Sequence, residues 1–277
     1  MRPTDFIESK APGTVGEHVK PPLRRPTLHE RARMYLGLLV LAVLCLAISL
    51  LALPMRALLP RVQSKRLGRR LVAESASAYL RFLVWMGACR FDLAELDALQ
   101  GAPAMMIAPN HPSLFDAVLI LSRLTGASCI MKADIVDNVF FGGVARLTGY
   151  IRNTPLRTMV HLAADELREG RHVLLFPEGT RTNRFPVGSL QGTTGLIAKH
   201  AGVPVQTVFI ETNSGFLGKG WSLRWTPRMP ITYRIRLGKR FDPPCHTADF
   251  VNEIEQYFQS ALAQAQLPDF PVSGPPA

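Results

Sequence analysis

Met105-Met106-Ile107-Ala108-Pro109-Asn110-His111-Pro112-Ser113-Leu114-Phe115-Asp116 decides the architecture of this chain. Met105–Ala108 is a short, uninterrupted apolar run, the pattern of a strand buried on both faces. Asn110 to Pro112 breaks it, and the apolar stretch Leu114–Leu124 then reads as a helix. The same grammar recurs at His172–Phe176, where Pro177 stops the strand and Gly179 permits a tight turn. A strand end that faces a helix start is where layered α/β sheets place ligands.

Further strands are predicted at Ser128–Met131, Val205–Ile210 and Ile231–Leu237. Helices are predicted at Ile135–Leu147, Arg157–Glu169, Thr194–His200 and Ala248–Gln264, with Gly170 and Pro204 among the joints. This alternation predicts an α/β domain with a mixed, largely parallel sheet flanked by helices. It occupies residues 91–267, ahead of a Pro-rich end at 268–277.

Two different segments precede the domain. Residues 1–33 are polar, basic and Pro-containing, and read as a flexible solvated tail. Met34 to Leu53 then carries no charge, and as a helix it is about 30 Å long, the hydrocarbon thickness of a bilayer. A hydrophobic membrane helix is expected over 34–59. Seven Lys/Arg lie in 1–33 and six between Arg56 and Arg70, so the positive-inside rule gives little orientation. Basic flanks on both sides also suit a re-entrant hairpin. Residues 60–90 would be its second arm, a basic amphipathic helix that is either interfacial or packed on its own domain. Its lipid-facing cations would be Arg61, Lys65, Arg66, Arg69, Arg70 and Arg81.

Of the 277 residues 47% are hydrophobic, which excludes wholesale disorder. Lys plus Arg number 32 against 21 Asp plus Glu, a formal net charge of +11, so the partner is anionic. Nucleic acid accounts for the charge but not for 34–53, and an anionic membrane surface accounts for both. Cys45, Cys89, Cys129 and Cys245 are scattered, without metal-ligand or disulfide spacing.

The chemistry concentrates at the two strand ends. With His111 on the turn and Asp116 in the first helical turns, the carboxylate can fold back to orient the imidazole, which makes half of a nucleophilic triad. The histidine would then deprotonate a substrate hydroxyl, and no enzyme nucleophile is required. The alternative is a helix-capping Asp beside a structural His. Backbone N–H groups near Pro112–Phe115 are candidate oxyanion donors. In the second turn, Arg181 offers a planar fork suited to phosphate, and Glu178 can hold a hydroxyl or clamp an arginine. The alternative there is an ordinary polar turn with a surface ion pair.

Taken together, Asn110-His111-Pro112-Ser113-Leu114-Phe115-Asp116 and Phe176-Pro177-Glu178-Gly179-Thr180-Arg181 resemble the glycerolipid acyltransferase family over roughly residues 80–240. The resemblance implies transfer of a fatty acyl chain from a thioester, acyl-CoA or acyl carrier protein, to a lysophospholipid hydroxyl, most naturally that of 1-acyl-glycerol-3-phosphate. Other lipid acceptors, such as a lyso-ornithine lipid, stay open, as does a non-catalytic lipid-binding adaptor. The resemblance makes His111 the general base and Asp116 its partner, and requires no metal or redox cofactor. It assigns Asn110, Arg152, Glu178, Gly179, Thr180 and Arg181 to the substrate. Arg157 competes with Arg152 as the arginine of the family's second block. The chain departs from the family pattern at Gln191, where Lys is common, and at Thr207, where Pro is common. Acyl-CoA and acyl carrier protein are cytosolic, so the domain is expected on the cytoplasmic face of the inner membrane.

Overall fold

The computed structural model describes residues 26–138, 142–184 and 186–263. The tail expected before residue 26 and the Pro-rich end lie outside the described residues. Helix α1 (Leu28–Leu58) starts ahead of the apolar run because Thr27 and Glu30 form a capping box. The Thr27 hydroxyl accepts from the Glu30 N–H at 3.2 Å, and the Glu30 carboxylate accepts from the Thr27 N–H at 2.8 Å. After Pro60 the chain turns back into α2 (Arg61–Trp85). There follow β1 (Cys89–Asp92), a 3-10 turn (Ala94–Leu99), β2 (Met106–Pro109), α3 (Asp116–Leu121) and β3 (Ser128–Met131). Next come α4 (Ala133–Val136), α5 (Gly142–Thr148), β4 (Ile151–Arg152), α6 (Leu156–Arg168) and β5 (Val173–Leu174). The chain continues through α7 (Thr193–Ala201), β6 (Val205–Thr212), β7 (Ile231–Phe241) and α8 (Thr247–Ala263).

The strands form one 7-stranded sheet in the order β1-β7-β6-β2-β5-β3-β4. Only β6 and β7 pair antiparallel; the other pairs are parallel, so the sheet is mixed and largely parallel as expected. The run around β2 explains the layering. Met105 and Ile107 face a core shared with α2 and α3, and Met106 and Ala108 face a second core under α6, α7 and α8. A strand covered on both faces has no polar side to show, hence the unbroken apolar run.

Several boundaries differ from expectation. The predicted helix Ile135–Leu147 is two short helices, α4 and α5, on either side of residues 139–141. The helix predicted from Leu114 begins at Asp116, because the preceding residues form the turn. Strands β1 and β4 are too short to leave an alternation signal.

The two N-terminal helices form an antiparallel hairpin laid along the domain. Near one end the Tyr79 hydroxyl donates to the Gly37 carbonyl at 3.0 Å, and toward the other Ile48 and Ala52 pack with Leu71, Val72 and Leu147. Helix α5 approaches α1 so closely that a Cβ on Gly143 would sit 2.4 Å from the Ser49 Cβ. The opposite face of α1 exposes Tyr35, Leu39, Val43, Leu46, Leu50 and Leu53. By length and composition α1 could cross a membrane.

The second arm is packed on its own domain along the face of Ser64, Gly68, Ala73, Ala76, Leu80 and Leu83. This removes Arg69 from the expected lipid-facing set. Its side chain is 4% exposed, because both Nη atoms bond the Glu166 carboxylate at 2.7 and 3.0 Å and Nε donates to the Thr148 carbonyl at 2.8 Å. Arg70 pairs with Glu74, and Lys65 lies 3.8 Å from Glu166, which leaves Arg61, Arg66 and Arg81 as the cations of α2 without a carboxylate partner among the described residues. Breaking a buried pair strands a charge. Arg69→Ala is therefore expected to destabilise the fold by about 3 kcal/mol, read by denaturant unfolding. A loss below about 1 kcal/mol, the scale of a surface pair, would rule out the tie between hairpin and domain.

Candidate active site

The parallel strands β2 and β5 are neighbours, so the turns that follow them emerge side by side. His111 on the first turn and Glu178 on the second meet there. The Glu178 carboxylate accepts from the His111 N–H (3.0 Å), the Thr182 hydroxyl (2.7 Å) and the Gly188 N–H (2.8 Å). The Thr182 N–H donates back to the His111 carbonyl at 2.7 Å. Glu178 is buried, with both oxygens taken by the chain's own donors. Its three bonds tie the two turns together. Gly179 has φ +63, and a Cβ there would strike the Gln191 amide at 2.4 Å.

The ring of His111 stacks on Phe176, centroids 3.8 Å apart, and its Nδ1 lies 2.7 Å from Asp116 Oδ2. That oxygen also accepts from the Ser113 N–H at 2.8 Å. Asp116 is fully buried, its Oδ1 lacks a hydrogen-bond partner, and the His111 side chain is 16% exposed. With Nδ1–H donated to Asp116, Nε2 is left free to act as a base. Burial pushes Asp116 up to about 6, against the His111 hydrogen bond and charge and the Ser113 N–H; the Glu178 charge adds to the rise. Since only the ionised carboxylate stabilises an imidazolium, turnover should fall as pH drops through about 6. A pH–rate profile for kcat tests this, and a flat profile between pH 5 and 7 would contradict it.

The expected oxyanion donors near Pro112–Phe115 are already spent. The N–H of Ser113 serves Asp116, that of Leu114 serves the Leu217 carbonyl, and that of Phe115 points to the Ser113 hydroxyl. Asn110 is buried and bonded through both amide atoms to the Ile210 backbone, which pins β2 to β6 rather than facing a ligand. Thr180 is half-buried in the second turn. Arg181 Nη1 donates to the carbonyls of Leu217 and Gly218 at 2.8 and 2.9 Å, leaving Nε and Nη2 unpaired among the described residues.

Arg152 is further off, on the edge strand β4. By sheet order it lies three strands from β2, about 14 Å at ordinary strand spacing, and it forms a two-bond pair with Asp137. Arg157 is exposed at the start of α6 with no partner among the described residues. One feature escaped the sequence reading. A narrow apolar cavity of about 20 Å³ lies beside Phe115, the neighbour of Asp116, lined by Met34, Leu83, Phe115, Phe216, Ile231 and Tyr233 from five separate segments.

Residues 90–211, which contain both turns, match the family model described as Acyltransferase. The chain is an acyltransferase similar to the glycerolipid acyltransferase family. Among curated relatives of this acyltransferase is the 1-acyl-sn-glycerol-3-phosphate acyltransferase of Pseudomonas aeruginosa. It is 24% identical over 208 residues, 70% of this chain and 77% of that one. The lyso-ornithine lipid O-acyltransferase of Rhodobacter capsulatus is 32% identical over a shorter stretch, 36% of this chain and 39% of that one. In fold the acyltransferase is similar to the crystal structure of the 1-acyl-sn-glycerophosphate (LPA) acyltransferase PlsC from Thermotoga maritima. The TM-score is 0.65 at 19% identity, covering 87% of this chain and 98% of that chain.

Proposed function

We propose that this acyltransferase moves a fatty acyl chain from acyl-CoA or acyl carrier protein to the hydroxyl of a lysophospholipid, with 1-acyl-glycerol-3-phosphate as acceptor and phosphatidic acid as product. The observation that carries the reading is the His111–Asp116 pair, held at 2.7 Å, with Nε2 unpaired among the described residues and the side chain partly exposed. His111 Nε2 takes the hydroxyl proton as the oxygen attacks the thioester carbonyl carbon. Collapse of the tetrahedral intermediate breaks the C–S bond, and the leaving thiolate recovers the proton from His111. A thioester is already activated, so positioning and a base are what the chain must supply, without metal or redox cofactor.

The hydroxyl of the catalytic turn and two buried thiols are poorly placed to act as nucleophiles. The Ser113 hydroxyl is buried and donates to the Phe216 carbonyl at 2.9 Å. Burial pushes the Cys89 and Cys129 thiols up to about 12. The hairpin seats the enzyme on the inner membrane with its site toward the cytoplasm, where both donors are found.

Arg181 shares the Leu217 carbonyl with the Leu114 N–H of the catalytic turn, and its Nε and Nη2, unpaired among the described residues, suit the acceptor's anionic end. Arg181→Lys keeps the charge and loses the fork. The acceptor KM is then expected to rise about tenfold with little change in the donor KM. Equal effects on both would make Arg181 a support for the 213–220 backbone alone.

A lyso-ornithine lipid is the second reading. The 32% identity to the Rhodobacter enzyme favours it, as does Gln191 where a lysine is common, because both fit a less anionic headgroup. Labelled acyl donor offered with 1-acyl-glycerol-3-phosphate and lyso-ornithine lipid side by side decides between them. Preference for the phosphate acceptor supports the first reading, and preference for the ornithine acceptor replaces it. Transfer to neither removes both.

A further inference from the structure

The connection between β6 and β7, residues 213–230, moves no proton in the scheme above, yet its composition is distinctive. It contains Lys219, Arg224 and Arg228 and no acidic residue. These three side chains are exposed and pair with no carboxylate among the described residues. Between them sit Leu223, 54% exposed, and the half-buried Trp221 and Trp225, edge to face at 5.9 Å.

This loop adjoins the apolar stripe of α1. The Tyr35 hydroxyl donates to the Leu223 carbonyl at 3.1 Å, and Tyr35 shares that stripe with Leu39, Leu46 and Leu50. Exposed Trp85 closes α2 at the same end of the hairpin. Tyrosine and tryptophan beside unpaired cations is the composition of a membrane–water interface. A disordered peptide or an acidic protein would match the charge, but neither needs the continuity with a bilayer-length apolar face.

Inward, the loop is bolted to the catalytic turn. The Leu217 carbonyl accepts from the Leu114 N–H at 3.1 Å and from Arg181 Nη1 at 2.8 Å, and the Phe216 carbonyl accepts from the Ser113 hydroxyl. Leu217 holds a left-handed φ of 56 to aim that carbonyl. Aromatic contacts run from Trp225 through Trp221 and Phe216 to Phe115, the neighbour of Asp116.

We propose that residues 219–228 form a second membrane contact, separate from the α1–α2 hairpin, which seats on anionic lipid headgroups and fixes the height of the His111 turn above the leaflet. The activity arm below rests on the proposed function; the binding arm does not. Each basic side chain beside an anionic surface strengthens binding about fivefold, an advantage that salt screens.

The test uses the full chain carrying Trp85→Phe and Trp221→Phe, so that Trp225 is the remaining tryptophan of the three. It is mixed with phosphatidylcholine–phosphatidylglycerol vesicles with and without bromine on the acyl chains. Brominated lipid is expected to quench Trp225 at least about twofold, and Arg224→Glu with Arg228→Glu to remove the quenching. The same charge reversals should raise KM for vesicle-borne acceptor about tenfold or more, with kcat on a monomeric short-chain acceptor within about twofold of the parent. Unquenched Trp225, in a preparation whose Trp85-only counterpart is quenched, would overturn the proposal. So would charge reversals that leave both the quenching and the vesicle KM unchanged. Quenching needs no turnover, so a protein inactive on every acceptor still tests the loop, and its inactivity counts against the function alone.

Discussion

His111→Ala is expected to lower acyl transfer by about 10²–10⁴-fold while the protein stays folded. The ring contributes one stack on Phe176 and one bond to Asp116, and its backbone N–H keeps its place on Glu178 in the variant. Stability should therefore change little while turnover collapses. Steady-state rates beside a thermal melt separate the two, and near-parental turnover by the folded variant would remove His111 from the chemistry. Asp116→Asn should also impair transfer, because an amide can present its N–H to Nδ1 and reverse the tautomer.

The second large effect is expected at Glu178, for a different reason. Its carboxylate satisfies the His111 N–H, the Thr182 hydroxyl and the Gly188 N–H together. Glu178→Ala orphans the buried Gly188 N–H, at about 1–3 kcal/mol, and the two part-buried donors at less, and frees the catalytic turn from its neighbour. A displacement of about 1 Å at the base is enough for about a 100-fold loss. The variant should lose both stability and kcat, with Glu178→Gln intermediate because one carbonyl oxygen survives. If instead only the acceptor KM rose and the melt were unchanged, Glu178 would be a ligand for the acceptor after all.

The layered sheet was readable because β2 and β6 are covered on both faces and leave unbroken apolar runs. The two-residue strand β4 owes its place to its neighbour β3, and the hairpin's seat on α5 likewise rests on a tertiary contact, the close approach at Gly143. At the site, the spacing from His111 to Asp116 predicted their meeting. What spacing cannot convey is direction. Arg69 lies among residues that read as a lipid-facing face, yet it turns inward to Glu166, 97 positions away. Asn110 and Glu178 read as ligand-binding residues, yet each is consumed by backbone partners that only the folded sheet supplies. The cavity beside Phe115 draws its walls from distant segments, none of which signals it alone.

The central claim is that His111 activates the acceptor hydroxyl and the acyl group never rests on the protein. Rapid-quench mixing of the full-length enzyme with labelled acyl donor, with and without 1-acyl-glycerol-3-phosphate, tests it most directly when label is followed in both lipid and protein. The account predicts label passing from donor to lipid only when acceptor is present, none on the protein at any time, and no lipid label with His111→Ala. Label accumulating on the protein without acceptor, or lipid label formed by His111→Ala at the parental rate, would contradict it.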